Sequence, residues 1–155
     1  MQKQMPTGRK PFINKTITKT KTMSLKLKPI AIWLLRILAA LILLQTLYFK
    51  FTGHPQSVEL FTKIGMEPWG RIGTGIFELI ASILMLYPRT TGIGAVLGVG
   101  LMAGAIFFHL TKLGLDFGGD YVLFIYAVIT FICCTILAFI YRGQVFKLAG
   151  IKLKS

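Results

Sequence analysis

Apolar residues in this chain fall into four long blocks separated by short polar stretches. A helix needs about 20 residues to cross the hydrocarbon core of a bilayer, with a usable range from about 17, so three of the blocks qualify by length. The second block is shorter and contains Glu78. Aromatic rings at the predicted ends support all four, because amphipathic rings prefer the membrane interface. We therefore predict an all-α, integral membrane four-helix bundle. Its predicted spans cover about residues 30–51, 72–87, 91–110 and 121–141.

The stretch HPQSVELFTKIG, between the first two spans, has its own helical pattern. Pro55 suits the first turn of a helix and Gly65 suits the position after its end. Val58, Phe61 and Ile64 recur at helical spacing. We expect a short interfacial helix in this loop. The alternative is an ordinary loop helix that packs on the bundle.

Composition and charge agree with a membrane protein. The chain is 54% hydrophobic and 15% charged, whereas a soluble domain averages about 25% charged residues. The net charge of +13 is concentrated in tails: eight of the 18 Lys and Arg residues lie in the first 28 residues, and four follow Tyr141. Flanking basic clusters are typical of cytoplasmic tails that face anionic lipid, so we expect membrane lipid and no nucleic acid as a partner.

The same charges predict an orientation with both termini inside. That arrangement places 13 basic residues on the cytoplasmic side and four on the other side, as the positive-inside rule requires. The expected organisation is a basic disordered tail over residues 1–28, a membrane domain over 29–141 and a basic tail over 142–155. Translation from Met23 would leave a shorter tail. We expect a multi-pass protein of the bacterial inner membrane.

Four polar residues inside the predicted spans form a candidate functional cluster: Arg36, Lys50, Glu78 and His109. Polar side chains inside a membrane are costly, and they normally face the bundle interior and pair. A rise of about 1.5 Å per residue places Glu78 between Arg36 on one side and Lys50 with His109 on the other. We predict that at least one of these cations neutralises the carboxylate.

Small residues in the third span predict close helix packing. Gly94, Gly98 and Ala105 lie on one face with His109, and Gly100 and Gly104 form a second small-residue pair.

Two weaker alternatives concern the remaining reactive side chains. Cys133 and Cys134 are adjacent in an apolar run, and we interpret them as small hydrophobic residues, with a vicinal redox pair as the alternative. The acidic and histidine residues on the predicted outer side show no metal-ligand spacing, so we expect no metal site. We expect Asp116 and Asp120 to turn the loop and to cap the fourth span.

The order of these features resembles the DoxX family of small four-helix membrane proteins, over about residues 34–131. The segments that carry the resemblance are Arg36, FKFTG at 49–53, IG at 64–65, Pro68, FEL at 77–79, LMLYPRTTGIGA at 84–95 and IFFHLTKLG at 106–114. The polar positions that match are Arg36, Lys50, Glu78 and His109. The long basic tail at the start of the chain is not part of the family pattern.

The resemblance implies several functions. Some DoxX-like proteins are membrane subunits of redox systems, including thiosulfate:quinone oxidoreductase, and others are partners of a secreted superoxide dismutase or assembly factors. For this chain it implies a quinone-associated subunit, with Glu78 and His109 exchanging protons and Arg36 or Lys50 favouring the reduced anion. The alternatives are a purely structural ion network and a scaffold for another membrane or redox protein. Whether the chain is itself an enzyme stays open.

Overall fold

The computed structural model describes residues 13–119 and 121–148. All regular elements within these residues are helical, and their bounds are α1 Ile13–Phe51, α2 Pro55–Lys63, α3 Trp69–Leu86, α4 Thr91–Phe108, a π-helical turn His109–Leu113, α5 Val122–Ile140 and α6 Arg142–Leu148.

Four of the described helices are long and apolar enough to cross a membrane. They are Pro29–Phe51, Trp69–Leu86, Thr91–Leu113 and Val122–Ile140. The prediction of an all-α membrane protein with four spanning helices is therefore confirmed, while the orientation with both termini inside stays a prediction.

The second span begins earlier than the apolar pattern indicates. The sequence predicts a start at residue 72, whereas α3 begins at Trp69. The first turn contains Gly70 and Arg71, which lower the local hydropathy without interrupting the helix. Arg71 is tolerated because its guanidinium group forms an ion pair with Glu67.

The predicted helix in the first loop is present as α2. A buried cluster forms where Phe61 of α2 and Ile64 pack against Leu113, the last residue of the third span, and Phe117, which follows it. Gly65 ends this segment with a φ of 79°, a conformation that glycine adopts without a steric penalty. The apolar face of α2 therefore packs on the protein, and its position at a membrane surface stays a prediction.

The chain divides into two compact units, residues 1–32 and 33–155. In the first unit, residues 13–28 are helical, and the disordered tail over residues 1–28 stays a prediction. Residues 1–12, Asp120 and residues 149–155 lie outside the described residues, and so do the predictions made for them.

Close approach of helices builds the core of the second unit. A Cβ atom added at Gly94 would lie 2.5 Å from the Met85 backbone nitrogen, and one added at Gly98 would lie 2.7 Å from Cys134 Sγ. Glycine at these positions lets α4 contact both α3 and α5. Cys133 and Cys134 are both buried free thiols.

Candidate functional site

A cavity of about 440 Å³ lies within the second unit. Its walls come from α1 to α5 and the π-helical turn, and most of its lining side chains are apolar. Lys50, Glu78 and His109 line it together. The structure thus brings three of the four residues of the predicted polar cluster to one cavity.

Glu78 forms the centre of the polar wall. It is 4% exposed. Its Oε2 atom accepts a hydrogen bond of 2.6 Å from Lys50 Nζ and one of 2.9 Å from Thr46 Oγ1. Lys50 Nζ also donates to Thr46 Oγ1 at 3.2 Å. Thr46 and Lys50 lie one turn apart on α1 and therefore face α3 together. The Glu78 carboxylate of α3 therefore forms an ion pair with the Lys50 ammonium group of α1.

His109 occupies the first position of the π-helical turn, and it is 5% exposed. Its Nδ1 atom lies 2.9 Å from the carbonyl oxygen of Gly114. Its ring packs edge-on against Phe124 with 5.7 Å between ring centroids. Gly114 has a φ of 86°, which turns the chain back toward the histidine. These contacts hold the imidazole in one orientation at the cavity wall, and π-helical turns of this kind are frequent at functional sites.

Arg36 lies apart from this group. Its Nε atom donates to the carbonyl oxygen of Met85 at 2.8 Å, and Nη2 donates to the carbonyl oxygen of Leu86. Its guanidinium carbon lies 4.0 Å from the ring centroid of Trp33. The residue is 1% exposed. Arg36 therefore caps the C-terminal end of α3, where backbone carbonyls lack helical partners and the helix dipole attracts a cation.

Other side chains complete the same helix end. Thr91 Oγ1 lies 3.2 Å from the Met85 carbonyl oxygen, and Thr90 Oγ1 donates to that of Leu84 at 2.9 Å. Gln144 of α6 donates to the Pro88 carbonyl oxygen and accepts from the Gly92 amide, both at 2.8 Å. The α3–α4 turn is thus held by hydrogen bonds from α1, α4 and α6. We call this region the Pro88 end and the region around the cavity the cavity end.

A second arginine has a comparable structural role at the cavity end. Arg71 forms a bidentate ion pair with Glu67, with Nε at 2.9 and 3.0 Å from its two carboxylate oxygens. Its Nη1 atom donates to the carbonyl oxygen of Lys50 near the end of α1. Arg71 therefore ties α3 to the last turn of the helix that supplies Lys50.

The glycines of α4 differ in their surroundings. Gly94 and Gly98 are in tight contact with neighbouring helices, whereas a Cβ added at Gly100 or Gly104 would meet nothing within 4 Å. Gly100, Gly104 and Ala105 all line the cavity. Small residues thus allow close packing in the first half of α4 and leave space in the second half.

Some cavity residues have little or no signal in the sequence. Gln45 is exposed and lines the cavity. Thr46 contacts Glu78, and its spacing of four residues from Lys50 is the one signal that indicates this pairing. Tyr126 also lines the cavity, and nothing in its apolar surroundings in α5 marks it.

The described residues contain no group of three or more His, Cys, Asp and Glu side chains that could hold a metal ion. Within this part of the chain the polar site consists of the Lys50–Glu78 ion pair and His109, which line the same cavity. These side chains can form hydrogen bonds and exchange protons with a ligand.

Comparison with known proteins supports the family resemblance. Residues 34–136 match the DoxX-like family, and this range contains every residue of the polar cluster. No curated protein and no solved structure gives a match. The family match covers more than half of the chain and spans the helices that build the cavity, so this protein belongs to the DoxX-like family.

Proposed function

We propose that this DoxX-like membrane protein binds a quinone in its cavity, as a quinone-associated subunit of a redox system in the bacterial inner membrane. The observation that carries the proposal is a largely apolar cavity of about 440 Å³ whose polar wall contains Lys50, Glu78 and His109. The chain belongs to the DoxX-like family, and the redox role that the family resemblance implies supports the proposal.

The cavity suits a quinone in size and in chemistry. Pockets for small molecules have volumes of about 300–1,000 Å³, and they combine apolar walls with a few polar groups that orient the ligand. Here the apolar side chains of Leu43, Leu60 and Phe108 line the same space as the ion pair. A ring with polar oxygens and an apolar tail fits such a wall.

The polar residues provide proton exchange and electrostatic stabilisation. A bound quinone would supply two-electron, two-proton redox chemistry. Glu78 and His109 are the acid–base groups at the wall, and each has one atom held by the protein and another left to exchange a proton. The Lys50 ammonium group favours negative charge that develops beside it.

Arg36 is assigned no part in this chemistry. The sequence allowed either Arg36 or Lys50 to favour a reduced anion. Because the Arg36 guanidinium group is hydrogen-bonded to the carbonyl oxygens of Met85 and Leu86, the proposal assigns this role to Lys50.

Titration of the purified protein with a short-chain benzoquinone tests the proposal. Gly104→Leu adds an apolar side chain at a position that lines the cavity, where nothing lies within 4 Å of an added Cβ. Gly73→Leu is the matched control: its Cβ also has open space, and Gly73 does not line the cavity. We expect saturable binding by the parent and by Gly73→Leu, and at least about tenfold weaker binding by Gly104→Leu. Absence of binding by the parent, or equal binding by both variants, would contradict the proposal.

A scaffold or assembly role is the second candidate, and the use of Arg36 and Arg71 for helix-end contacts supports it. A strain in which the gene is deleted and then complemented with the Gly104→Leu variant distinguishes the two functions. A scaffold predicts that a co-purifying membrane protein disappears on deletion and returns with Gly104→Leu. The quinone proposal predicts that Gly104→Leu restores no quinone-linked respiration.

A further inference from the structure

The hydrogen bonds at the cavity wall are unevenly distributed over Glu78. Oε2 accepts from both Lys50 and Thr46, while Oε1 accepts no hydrogen bond from any described residue. Oε1 of the carboxylate that pairs with Lys50 is therefore an acceptor that can receive a proton donor from a ligand.

The tautomer of His109 follows from its partner. A carbonyl oxygen only accepts hydrogen bonds, so the 2.9 Å contact with Gly114 places the proton on Nδ1. In the neutral ring Nε2 then carries the lone pair and acts as an acceptor. No described residue donates to Nε2. The cavity wall therefore offers a second acceptor atom that no described residue pairs.

Donor capacity at the same wall is smaller. Lys50 has three ammonium protons, of which contacts with Glu78 and Thr46 use two. One proton remains for a ligand, against two acceptor atoms that no described residue pairs. The other polar residues that line the cavity each carry a group that both donates and accepts, so they favour neither kind of ligand; they are Gln45, Gln56, Ser57, Thr74 and Tyr126.

We infer that the cavity selects the reduced, dihydroxy form of its ligand over the oxidised, dicarbonyl form; this inference rests on the proposed function. Two ligand hydroxyl groups pair with Glu78 Oε1 and His109 Nε2, whereas two carbonyl groups leave both acceptors unpaired. A site built to hydrogen-bond a hydroxyl group rejects an analogue that lacks it. We expect at least about tenfold tighter binding of the quinol, which raises the midpoint potential of the bound couple by about 30 mV for two electrons.

The test compares three probes with the parent protein under anaerobic conditions: a short-chain benzoquinone, its quinol and the dimethyl ether of that quinol. We expect the quinol to bind at least about tenfold more tightly than the other two, since only the quinol carries hydroxyl donors. Equal affinities for quinone and quinol overturn the inference and leave the proposed function standing. Failure of all three probes to bind overturns both.

Glu78→Gln sharpens the test while preserving side-chain shape. The amide oxygen takes the place of Oε2 beside Lys50, and the amide NH₂ replaces Oε1 as a donor toward the ligand. The quinol preference is expected to fall by at least about fivefold, corresponding to one lost charged hydrogen bond. Glu59→Gln is the matched control, because Glu59 is exposed and does not line the cavity. An unchanged preference in a folded Glu78→Gln protein overturns the inference.

Discussion

At the Pro88 end, Arg36 is buried against backbone carbonyls of α3, and at the cavity end Lys50 is paired with a carboxylate beside open space. Both cations come from α1, and they are 14 residues or about 21 Å apart along its axis. Arg36 uses its guanidinium group to satisfy a helix terminus. Lys50 and Glu78 leave polar atoms directed to a cavity. A buried charge thus has a structural role at the Pro88 end, where Arg36 lies, and is available for ligand binding at the cavity end, where Lys50 lies.

The largest expected effect comes from Glu78→Leu, which tests whether the cavity end is an independent ion pair. Removal of the carboxylate leaves the Lys50 ammonium group without its partner, which costs about 3–5 kcal/mol for a buried pair. Thermal unfolding in a mild detergent measures the loss. Adding Lys50→Met should recover part of it. A Glu78→Leu protein that unfolds at the same temperature as the parent would contradict the pairing.

Arg36→Leu tests the Pro88 end and should destabilise the protein by about 2–4 kcal/mol. The change leaves the carbonyl oxygens of Met85 and Leu86 without the guanidinium donors, and each unsatisfied buried group costs about 1–3 kcal/mol. Arg89→Leu is the matched control, because Arg89 is exposed and donates to the Tyr87 hydroxyl group, and not to a backbone carbonyl of any described residue.

Combining Arg36→Leu with Glu78→Leu shows whether the two ends are coupled. The residues share no hydrogen-bond partner, so the two losses should add within about 0.5 kcal/mol. Rescue of Glu78→Leu by Arg36→Leu would mean that Arg36 neutralises the carboxylate after all.

Two glycines of α4 give a smaller contrast between the same regions. Gly94→Ala places a methyl group against α3 backbone atoms and should cost about 1–3 kcal/mol. Gly104→Ala meets no neighbour within 4 Å, so it should be neutral or stabilise the helix by up to about 1 kcal/mol. Equal effects of the two substitutions on unfolding would show that α4 is packed alike along its length.

Gln144→Leu should have the smallest effect, about 1 kcal/mol, because it removes two partly exposed hydrogen bonds to the α3–α4 turn. Quinone affinity should not change, since Gln144 does not line the cavity. A loss of affinity measured in the same titration would show that the Pro88 end influences the cavity.

The spanning helices were predictable from the sequence because hydropathy over about 20 residues is a local property. The depth of each polar side chain in the membrane was also predictable from the helical rise, and it limited the expected partners of Glu78 to a few cations. Rotation of each helix about its own axis was less predictable, and Tyr126 of α5 lines the cavity without any sequence signal that marks it. The π-helical turn at His109 has no recognisable sequence pattern.

The role of Arg36 shows why charge matching alone was insufficient. Its partners are backbone carbonyl oxygens, which every residue has, so no side chain in the sequence identifies them. The one related signal is Pro88, which indicates where α3 must end and hence where carbonyls lack helical partners. Charges in the sequence indicate only ionised partners for Arg36, so the predicted cluster includes one residue whose hydrogen bonds lie at the Pro88 end.

A density map of the full-length protein purified with its native lipid tests the central claim most directly. The account predicts an elongated density in the cavity in contact with Glu78 and His109, with Arg36 hydrogen-bonded to the end of α3. A map in which Arg36 reaches Glu78 across a collapsed cavity, or in which Glu78 points toward the acyl chains, would contradict it.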